Sequence, residues 1–212
     1  MTLEFSVVIP TFNRRRVLAE VLAALDTQEE APPFEIVVVD DGSTDGTFEW
    51  LGQRTAGRPL RQLRQQNRGP AAARNRGVEV AAGARIAFLG DDTVPEGDWL
   101  ARHAARHRQS TTPADGAGVA VLGYTAWHPR MRLTPFLRYI NEYGLQFGYA
   151  LIADPENVPF NFFYTSNLSL AREWLLAEPF DESFPDPAWE DIEASYRLER
   201  RGLRLVYEPR AR

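Results

Sequence analysis

The sequence predicts a single α/β domain in which a mostly parallel central sheet is flanked by helices. Its 212 residues, 44% of them hydrophobic, suffice for one large domain with its own core. Strand-like and helix-like segments alternate through the first half, as in βαβ units. The run Ile36, Val37, Val38 and Val39 is uninterrupted, which is typical of a strand buried on both faces.

The elements of the first half follow from these patterns. Apolar runs at 5–10, 34–40 and 85–89 predict strands, and the segments 14–25, 44–54 and 70–82 predict helices. Pro95 is expected to open a further helix. The first helix has one apolar face, formed by Val17, Leu18, Val21, Leu22 and Leu25.

The second half is less regular. We predict strands over 118–124 and 203–207, an extended segment over 160–170, and helices over 135–144 and 189–201. Two proline-rich stretches, 155–159 and 179–187, are typical of loops.

The composition excludes several kinds of chemistry. All 24 cationic residues are arginine, and cysteine is absent. A P-loop, a Schiff-base lysine, a catalytic thiol and a thiolate zinc site are therefore excluded. The net charge of −5 argues against nucleic acid as a partner. The N-terminal segment lacks the features of a signal peptide, and no apolar run reaches the roughly 20 residues needed to cross a bilayer, so we expect a cytoplasmic protein.

Polar residues follow three of the predicted strands. In a parallel sheet, ligands bind beyond the carboxyl ends of the strands. We therefore expect one site at this edge, formed by Thr11 and Asn13, by Asp40 and Asp41, and by Asp91 and Asp92.

The segment VVVDDGSTDGT places Asp40 in line with a strand, where its carboxylate is suited to accept a ring N–H of uracil or guanine. For Asp41, Ser43 and Asp45 we favour a structural role in the turn and the helix cap.

The segment IAFLGDDTVP places Asp91 and Asp92 at the end of another strand. Adjacent carboxylates repel each other unless a cation or hydrogen bonds intervene, and oxygen ligands suit Mg²⁺ or Mn²⁺. Such ions are held by one or two carboxylates together with substrate phosphates, which fits a nucleoside diphosphate.

Two helix starts carry further candidates. The helix GPAAARNRG is suited to pack its alanine face on the sheet, and its Arg74 is placed to reach a diphosphate. Glu190 and Asp191 open another helix, where carboxylates commonly serve as dipole partners, the alternative being a general base. For His103 and His107, spaced by four, we favour a solvated helix face over a zinc site.

The ordered motifs resemble those of the family 2 glycosyltransferases, which have the GT-A fold. They extend from Phe5 to about Pro209 and comprise FSVVIPTFNR, EIVVVDDGSTDGT, NRGPAAARNRG, IAFLGDDTVP, TSNLSLARE, FDESF and WEDIEASYRL. The resemblance implies a nucleotide-sugar-binding half, 1–100, and an acceptor-binding half, 101–212.

The resemblance also implies roles for the residues of the donor half. Pro10, Thr11 and Phe12 would line the nucleobase and ribose pocket, with Asp40 on the base and Arg74 near the diphosphate. Asp92 would be the main ligand of Mn²⁺ or Mg²⁺, and Asp91 a second contact to metal or ribose. Gly90 departs from the family pattern, because many members carry another aspartate there.

In the acceptor half, the resemblance makes Asn167 and Trp189 contacts to the sugar or acceptor, and Asp191, preferred over Glu190, the general base. The implied reaction is a single in-line displacement with inversion, from a UDP-linked donor to a hydroxyl of a glycan, lipid or small molecule. Relatives often continue beyond the YEP segment with a histidine-containing stretch that can complete the metal site, whereas this sequence stops at Arg212.

Two other classes of function remain open. A nucleotidyltransferase also uses a parallel sheet and paired aspartates, but would carry a glycine-rich, basic loop where this chain has PTFNRRR. A non-catalytic nucleotide-sugar-binding protein is the other alternative. The aromatic-rich stretch 124–167 is suited to form core, an acceptor platform or a dimer surface, and peripheral contact with the inner face of a membrane is also considered.

Overall fold

The computed structural model describes residues 2–55, 57–110, 118–144, 146–184 and 188–212. Seven strands form one sheet in the order β3-β2-β1-β4-β6-β5-β7. The strands are β1 (Phe5–Thr11), β2 (Phe34–Asp40), β3 (Leu60–Arg64), β4 (Arg85–Leu89), β5 (Val119–Gly123), β6 (Asn167–Ala171) and β7 (Arg204–Glu208). Only β6 among them runs antiparallel to its neighbours, which confirms the predicted mostly parallel sheet.

Helices flank this sheet on both faces. They are α1 (Arg15–Asp26), α2 (Thr47–Gly52), α3 (Gly69–Val80), α4 (Trp99–Gln109), α5 (Pro135–Glu142), α6 (Arg172–Ala177) and α7 (Glu190–Arg200). Short 3₁₀ turns cover Tyr149–Leu151 and Phe160–Phe162.

The central strands are buried on both faces because alternate side chains enter different cores. From β2, Val37 and Val39 join the core on the α3 and α7 side, and Ile36 and Val38 join the one on the α1 and α4 side. Because both faces of β2 are buried, its apolar run is uninterrupted. A strand with one face in solvent would instead alternate apolar and polar residues.

Helix α3 lies very close to the sheet, as its small residues predict. Ala71, Ala72 and Ala73 are buried, and a Cβ at Gly77 would lie 2.4 Å from Val8 Cγ1. A larger residue at 77 would push α3 away from β1.

Four details differ from the sequence expectations. β3 is an edge strand whose mixed polar pattern LRQLR gave no apolar run. α6 is short and follows β6 directly. The helix expected from Pro95 begins at Trp99, and Val17 is exposed rather than part of the buried face of α1. Within the residues described, no helix combines the length and apolarity needed to cross a membrane.

Candidate functional site

The carboxyl ends of the parallel strands bring the predicted polar residues together. Thr11 is in register with Asp40, and Asp40 with Arg64. Across the sheet, the Thr11 hydroxyl donates a hydrogen bond of 2.8 Å to Asp91 Oδ2. The three strand ends that the sequence suggested therefore form one continuous edge.

Asp40 is fully buried yet only half satisfied. Its Oδ1 accepts the Ser43 N–H at 2.8 Å, which closes the turn after β2. Its Oδ2 has no hydrogen-bond partner, and the nearest cationic atom is Arg64 Nε at 3.8 Å. A buried carboxylate oxygen without a donor is costly, so this atom is suited to accept an N–H from a ligand.

Asp41 has the structural role that we favoured. It accepts hydrogen bonds from the backbone N–H groups of Arg68 and Gly69 and from the side chain of Gln65. These bonds fix the backbone at the start of α3. Both carboxylate oxygens of Asp41 take part in them, so neither is directed at a ligand.

Asn13 ties the start of α1 to the turn after β2. Its N–H donates to Ser43 Oγ at 2.9 Å, and its Oδ1 accepts the Thr44 N–H at 2.8 Å. Asp45 accepts the N–H of Arg15, the first residue of α1, at 3.0 Å. Ser43 and Asp45 are thus turn and cap residues. Asn13, which bonds to this turn, has a left-handed φ of 55°.

Pro10 is partly buried, whereas the Phe12 side chain projects from the same edge and is 45% exposed. A ring exposed at a polar edge offers an apolar surface on which a planar base or a sugar can pack. The pocket role that the resemblance implies for Phe12 stays a prediction.

Asp91 and Asp92 lie together at the end of β4 and share one cationic partner. Arg14 Nη1 is 3.2 Å from Asp91 Oδ1 and also contacts Asp92 Oδ2. Burial raises the pKa of the Asp91 carboxyl, and the Thr11 and Arg14 contacts offset part of that rise. Asp92 is more exposed, with 56% of its side-chain surface accessible.

Gly90 leaves space that the carboxylate pair needs. A Cβ at this position would lie 2.7 Å from Thr93 Oγ1 and 3.1 Å from Asp92 Oδ1. A side chain at 90 would therefore displace Thr93 or Asp92, which gives a local physical reason for glycine here.

The carboxylate pair has a donor set that fits a divalent cation. Two neighbouring carboxylates already converge on one positively charged nitrogen, and oxygen ligands are those that Mg²⁺ and Mn²⁺ prefer. Across the described ranges, no group of three or more His, Cys, Asp or Glu side chains forms a complete metal cage. A cation here would complete its coordination with water or with oxygens from a substrate.

Asp191 and Glu190 at the start of α7 have different environments. Glu190 is 4% exposed and forms an ion pair of 2.6 Å with Arg74. Burial raises the pKa of the Asp191 carboxyl, and nearby Arg74 opposes that rise. Asp191 Oδ1 also accepts the Ile192 N–H at 2.9 Å, and the backbone of Thr165 further opposes the rise in the pKa of this carboxyl.

Arg74, which the resemblance places near a diphosphate, pairs with a carboxylate in this structure, and its contact to a diphosphate stays a prediction. Its guanidinium is largely buried, bound to Glu190 and placed over the Phe180 ring, 5.6 Å from the ring centroid. In this structure Arg74 belongs to the surroundings of Asp191.

The segment before β6 joins the two groups of carboxylates. The backbone of Thr165 lies near enough to Asp191 to lower the pKa of that carboxyl, and the carbonyl of the next residue, Ser166, accepts the Gly90 N–H at 3.0 Å. Because β6 is antiparallel, its amino end lies beside the carboxyl end of β4.

Asn167 has no surface exposed and no unused hydrogen-bonding group, which corrects its predicted sugar contact. Its amide nitrogen donates to the carbonyls of Tyr124 and Ala211, and its Oδ1 accepts from Trp99 Nε1 at 2.8 Å and His103 Nε2 at 2.9 Å. Asn167 is a core residue that connects β6 to α4.

The prediction that His103 and His107 form a solvated face is wrong. His103 is fully buried, and burial lowers its pKa to about 4; burial likewise lowers the pKa of His107 to about 3. Both rings share Ser169 Oγ at 2.8 Å, so two neutral imidazoles, one buried and one partly buried, pack against β6.

Trp189 is the most exposed of the large apolar residues described, at 69%, and it precedes the carboxylates of α7. Its φ of 75° is left-handed, a strained conformation for a bulky residue. Strain of this kind often occurs at functional sites.

Three residues of the site were not predicted as such: Arg14, Arg64 and Thr165. Arg14 stands in the PTFNRRR segment, where three adjacent arginines conceal which of them turns toward the site. Arg64 ends the edge strand that had no apolar run, and Thr165 acts through its backbone, which leaves no signal in the sequence.

The fold is that of the GT-A glycosyltransferases. S. aureus TarS 1–349 in complex with UDP-GlcNAc superposes with a TM-score of 0.72 at 20% identity, over 97% of this chain and 56% of that one. The mannosyltransferase PcManGT from Pyrobaculum calidifontis, in complex with GDP-Man and Mn²⁺, superposes with a TM-score of 0.66 at 22% identity, over 100% of this chain and 56% of that one.

The sequence narrows this class to one family. The model of glycosyl transferase family 2 matches residues 6–169, and the chain belongs to that family. A hyaluronan synthase from Pasteurella multocida is 28% identical over 221 residues, which cover 93% of this chain and 23% of that protein. The chain thus spans about a quarter to half the length of the curated relatives it matches.

Proposed function

We propose that this chain is a glycosyltransferase domain that transfers a sugar, with inversion, from a UDP-linked donor to a hydroxyl acceptor. The observation that carries the proposal is the link through residues 165 and 166. The carbonyl of Ser166 accepts the Gly90 N–H beside the carboxylate pair, and the adjacent backbone of Thr165 is near enough to Asp191 to lower the pKa of its carboxyl. This segment would hold a base for the acceptor and a cation site for the leaving group at one edge.

The donor nucleotide is proposed to bind over the ends of β1 and β2. The unpartnered Asp40 Oδ2 would accept the ring N–H of the base, and Phe12 and Pro10 would supply its apolar contacts. Uracil and guanine both offer such an N–H, whereas unprotonated cytosine does not. The UDP-GlcNAc complex of TarS favours uracil, and the GDP-Man complex of PcManGT makes GDP the competitor to test.

Asp91 and Asp92 would hold Mn²⁺ or Mg²⁺ together with the donor diphosphate. When bound, the cation would neutralise the charge that develops on the departing nucleoside diphosphate. PcManGT is in complex with Mn²⁺, which supports the same ion here. Because the chain has a net charge of −5, compensation for the diphosphate must come from such local cations.

Asp191 is proposed as the general base. Because burial raises the pKa of its carboxyl, Asp191 is a stronger base than an ordinary aspartate. Its side chain is also more exposed than that of Glu190. Asp191 would take the proton of the acceptor hydroxyl as that oxygen attacks the anomeric carbon. Glu190 and Arg74 would position it, since their ion pair fixes the first turn of α7.

The acceptor is proposed to bind in the half formed by residues 101–212, next to Trp189. The exposed ring offers a face for stacking on a sugar. We propose that a membrane surface or a second copy of this chain contacts the exposed aromatic side chains of α5 and of the residue after it, Phe136, Tyr139 and Tyr143. Vesicle co-sedimentation and sedimentation velocity distinguish these two partners.

Asp191→Asn tests the base. We expect donor binding within about twofold of the wild type and transfer reduced by two to four orders of magnitude, roughly the contribution of general-base catalysis. Asp181→Asn, the same substitution at an exposed carboxylate, serves as control. Calorimetry measures donor binding, and product analysis measures transfer.

Full turnover by Asp191→Asn would reject the base assignment. Release of pyrophosphate rather than nucleoside diphosphate would identify a nucleotidyltransferase. Donor binding by the wild type with no transfer to any acceptor and no hydrolysis would favour a non-catalytic binding protein.

A further inference from the structure

Arg14 lies at the junction between the donor edge and α1. It is the last residue before the helix and follows Asn13, whose left-handed φ of 55° turns the chain. Asn13 is held by Ser43 and Thr44, so the direction in which Arg14 leaves the backbone is fixed by the turn after β2. About half of the Arg14 side chain, 51%, is exposed.

The Arg14 guanidinium occupies the point on which both carboxylates of the proposed cation site converge. A single nitrogen, Nη1, bonds Asp91 at 3.2 Å and contacts Asp92. Two adjacent carboxylates carry two negative charges, of which one guanidinium compensates one. The pair therefore remains attractive to a divalent cation, but the cation and Arg14 need the same oxygens.

The other arginines near this edge already have partners. Arg74 is paired with buried Glu190, and Arg68 with Glu182 at 2.6 Å. Arg64 donates to the Ser43 carbonyl and lies beside Asp40. Arg14 differs from all three because its partners are the carboxylates that a divalent cation would take.

We propose that Arg14 is the resident cation of the Asp91 and Asp92 pair, that a divalent cation displaces it, and that the freed guanidinium then binds the donor diphosphate. This inference rests on the proposed function for its last step. It assigns a diphosphate contact to Arg14, whereas Arg74 is paired with Glu190. The exchange keeps positive charge at the carboxylate pair both before and after the donor arrives.

The proposal predicts opposite effects of one substitution on two ligands. Arg14→Gln removes the competitor for the carboxylates, so we expect Mn²⁺ alone to bind about five- to tenfold more tightly. The same variant lacks the charge-assisted contact to the diphosphate, so UDP at saturating Mn²⁺ should bind about tenfold more weakly. Calorimetry measures both affinities.

Arg16→Gln is the matched control, because it removes the same charge from an exposed position two residues further along the chain. We expect it to change either affinity by less than twofold. Arg14→Lys retains a cation without the planar fork, so its Mn²⁺ affinity should stay near that of the wild type. Thermal unfolding of each variant establishes that the fold is intact.

Mn²⁺ affinity of Arg14→Gln equal to or below that of Arg16→Gln would overturn the displacement step. UDP affinity of Arg14→Gln equal to that of the wild type would overturn the diphosphate step. Failure of the wild type to bind UDP at all would instead reject the proposed function, and the measurement with Mn²⁺ alone would still decide the displacement.

Discussion

Replacing Asn167 with alanine tests whether this residue belongs to the core or to the ligand site. The side chain makes three buried hydrogen bonds, with Trp99, His103 and Ala211, and a partly buried one with Tyr124. Each contributes about 1 kcal/mol net, so Asn167→Ala should lower the free energy of unfolding by about 4 kcal/mol. Since a domain of this size has a total of about 5–15 kcal/mol, the loss is a large fraction.

Urea and thermal unfolding measure this loss. At roughly 2–4 °C per kcal/mol for a chain of this length, the midpoint should fall by about 8–16 °C. Asn157→Ala, at an exposed position, should shift it by less than about 2 °C. An unfolding free energy within 1 kcal/mol of the wild type, together with lost binding of a donor or acceptor, would refute the structural role and restore the sugar contact.

Two further predictions concern protonation and metal. Burial lowers the pKa of His103 from 6.5 to about 4, so the unfolded chain binds the proton more readily, and stability should fall by about 1.4 kcal/mol per pH unit as pH drops from 6.5 toward 4. Urea unfolding between pH 7 and pH 5 checks this, and His107 acts in the same direction; a flat profile would contradict it. For the cation site, UDP should bind at least about tenfold more tightly with Mn²⁺ than with EDTA, and Asp92→Asn should abolish the difference. Equal affinities for the wild type under both conditions would argue against a metal at Asp92.

The parallel half of the fold was predictable because its signals are local. The buried run of β2 and the small residues of α3 each specify one packing arrangement. The edge strand β3 was not predicted, since one side of it faces solvent and its sequence carries polar residues there. Edge strands and short helices such as α6 depend on their neighbours more than on their own pattern.

The sequence predicted which strand ends form the candidate site, but not which side chains contact one another there. Convergence of Thr11, Asp40 and Asp91 follows from parallel topology, which periodicity reveals. Parallel topology does not predict which carboxylate each arginine contacts. That contact depends on how far the side chain extends toward elements distant in sequence. Arg74 was assigned to the diphosphate from its position in the helix GPAAARNRG and from the family resemblance, whereas its neighbour in space, Glu190, is separated from it by 116 residues.

The reversed direction of β6 has a consequence for how such a domain can diversify. The strand brings its amino end to the carboxyl end of β4, where the Ser166 carbonyl accepts the Gly90 N–H, so the position of the carboxylate pair depends on backbone next to the sheet. The exposed aromatic side chains of α5 lie on a separate segment. Substitutions on α5 can therefore change what that surface binds while the backbone that holds Asp91 and Asp92 stays unchanged.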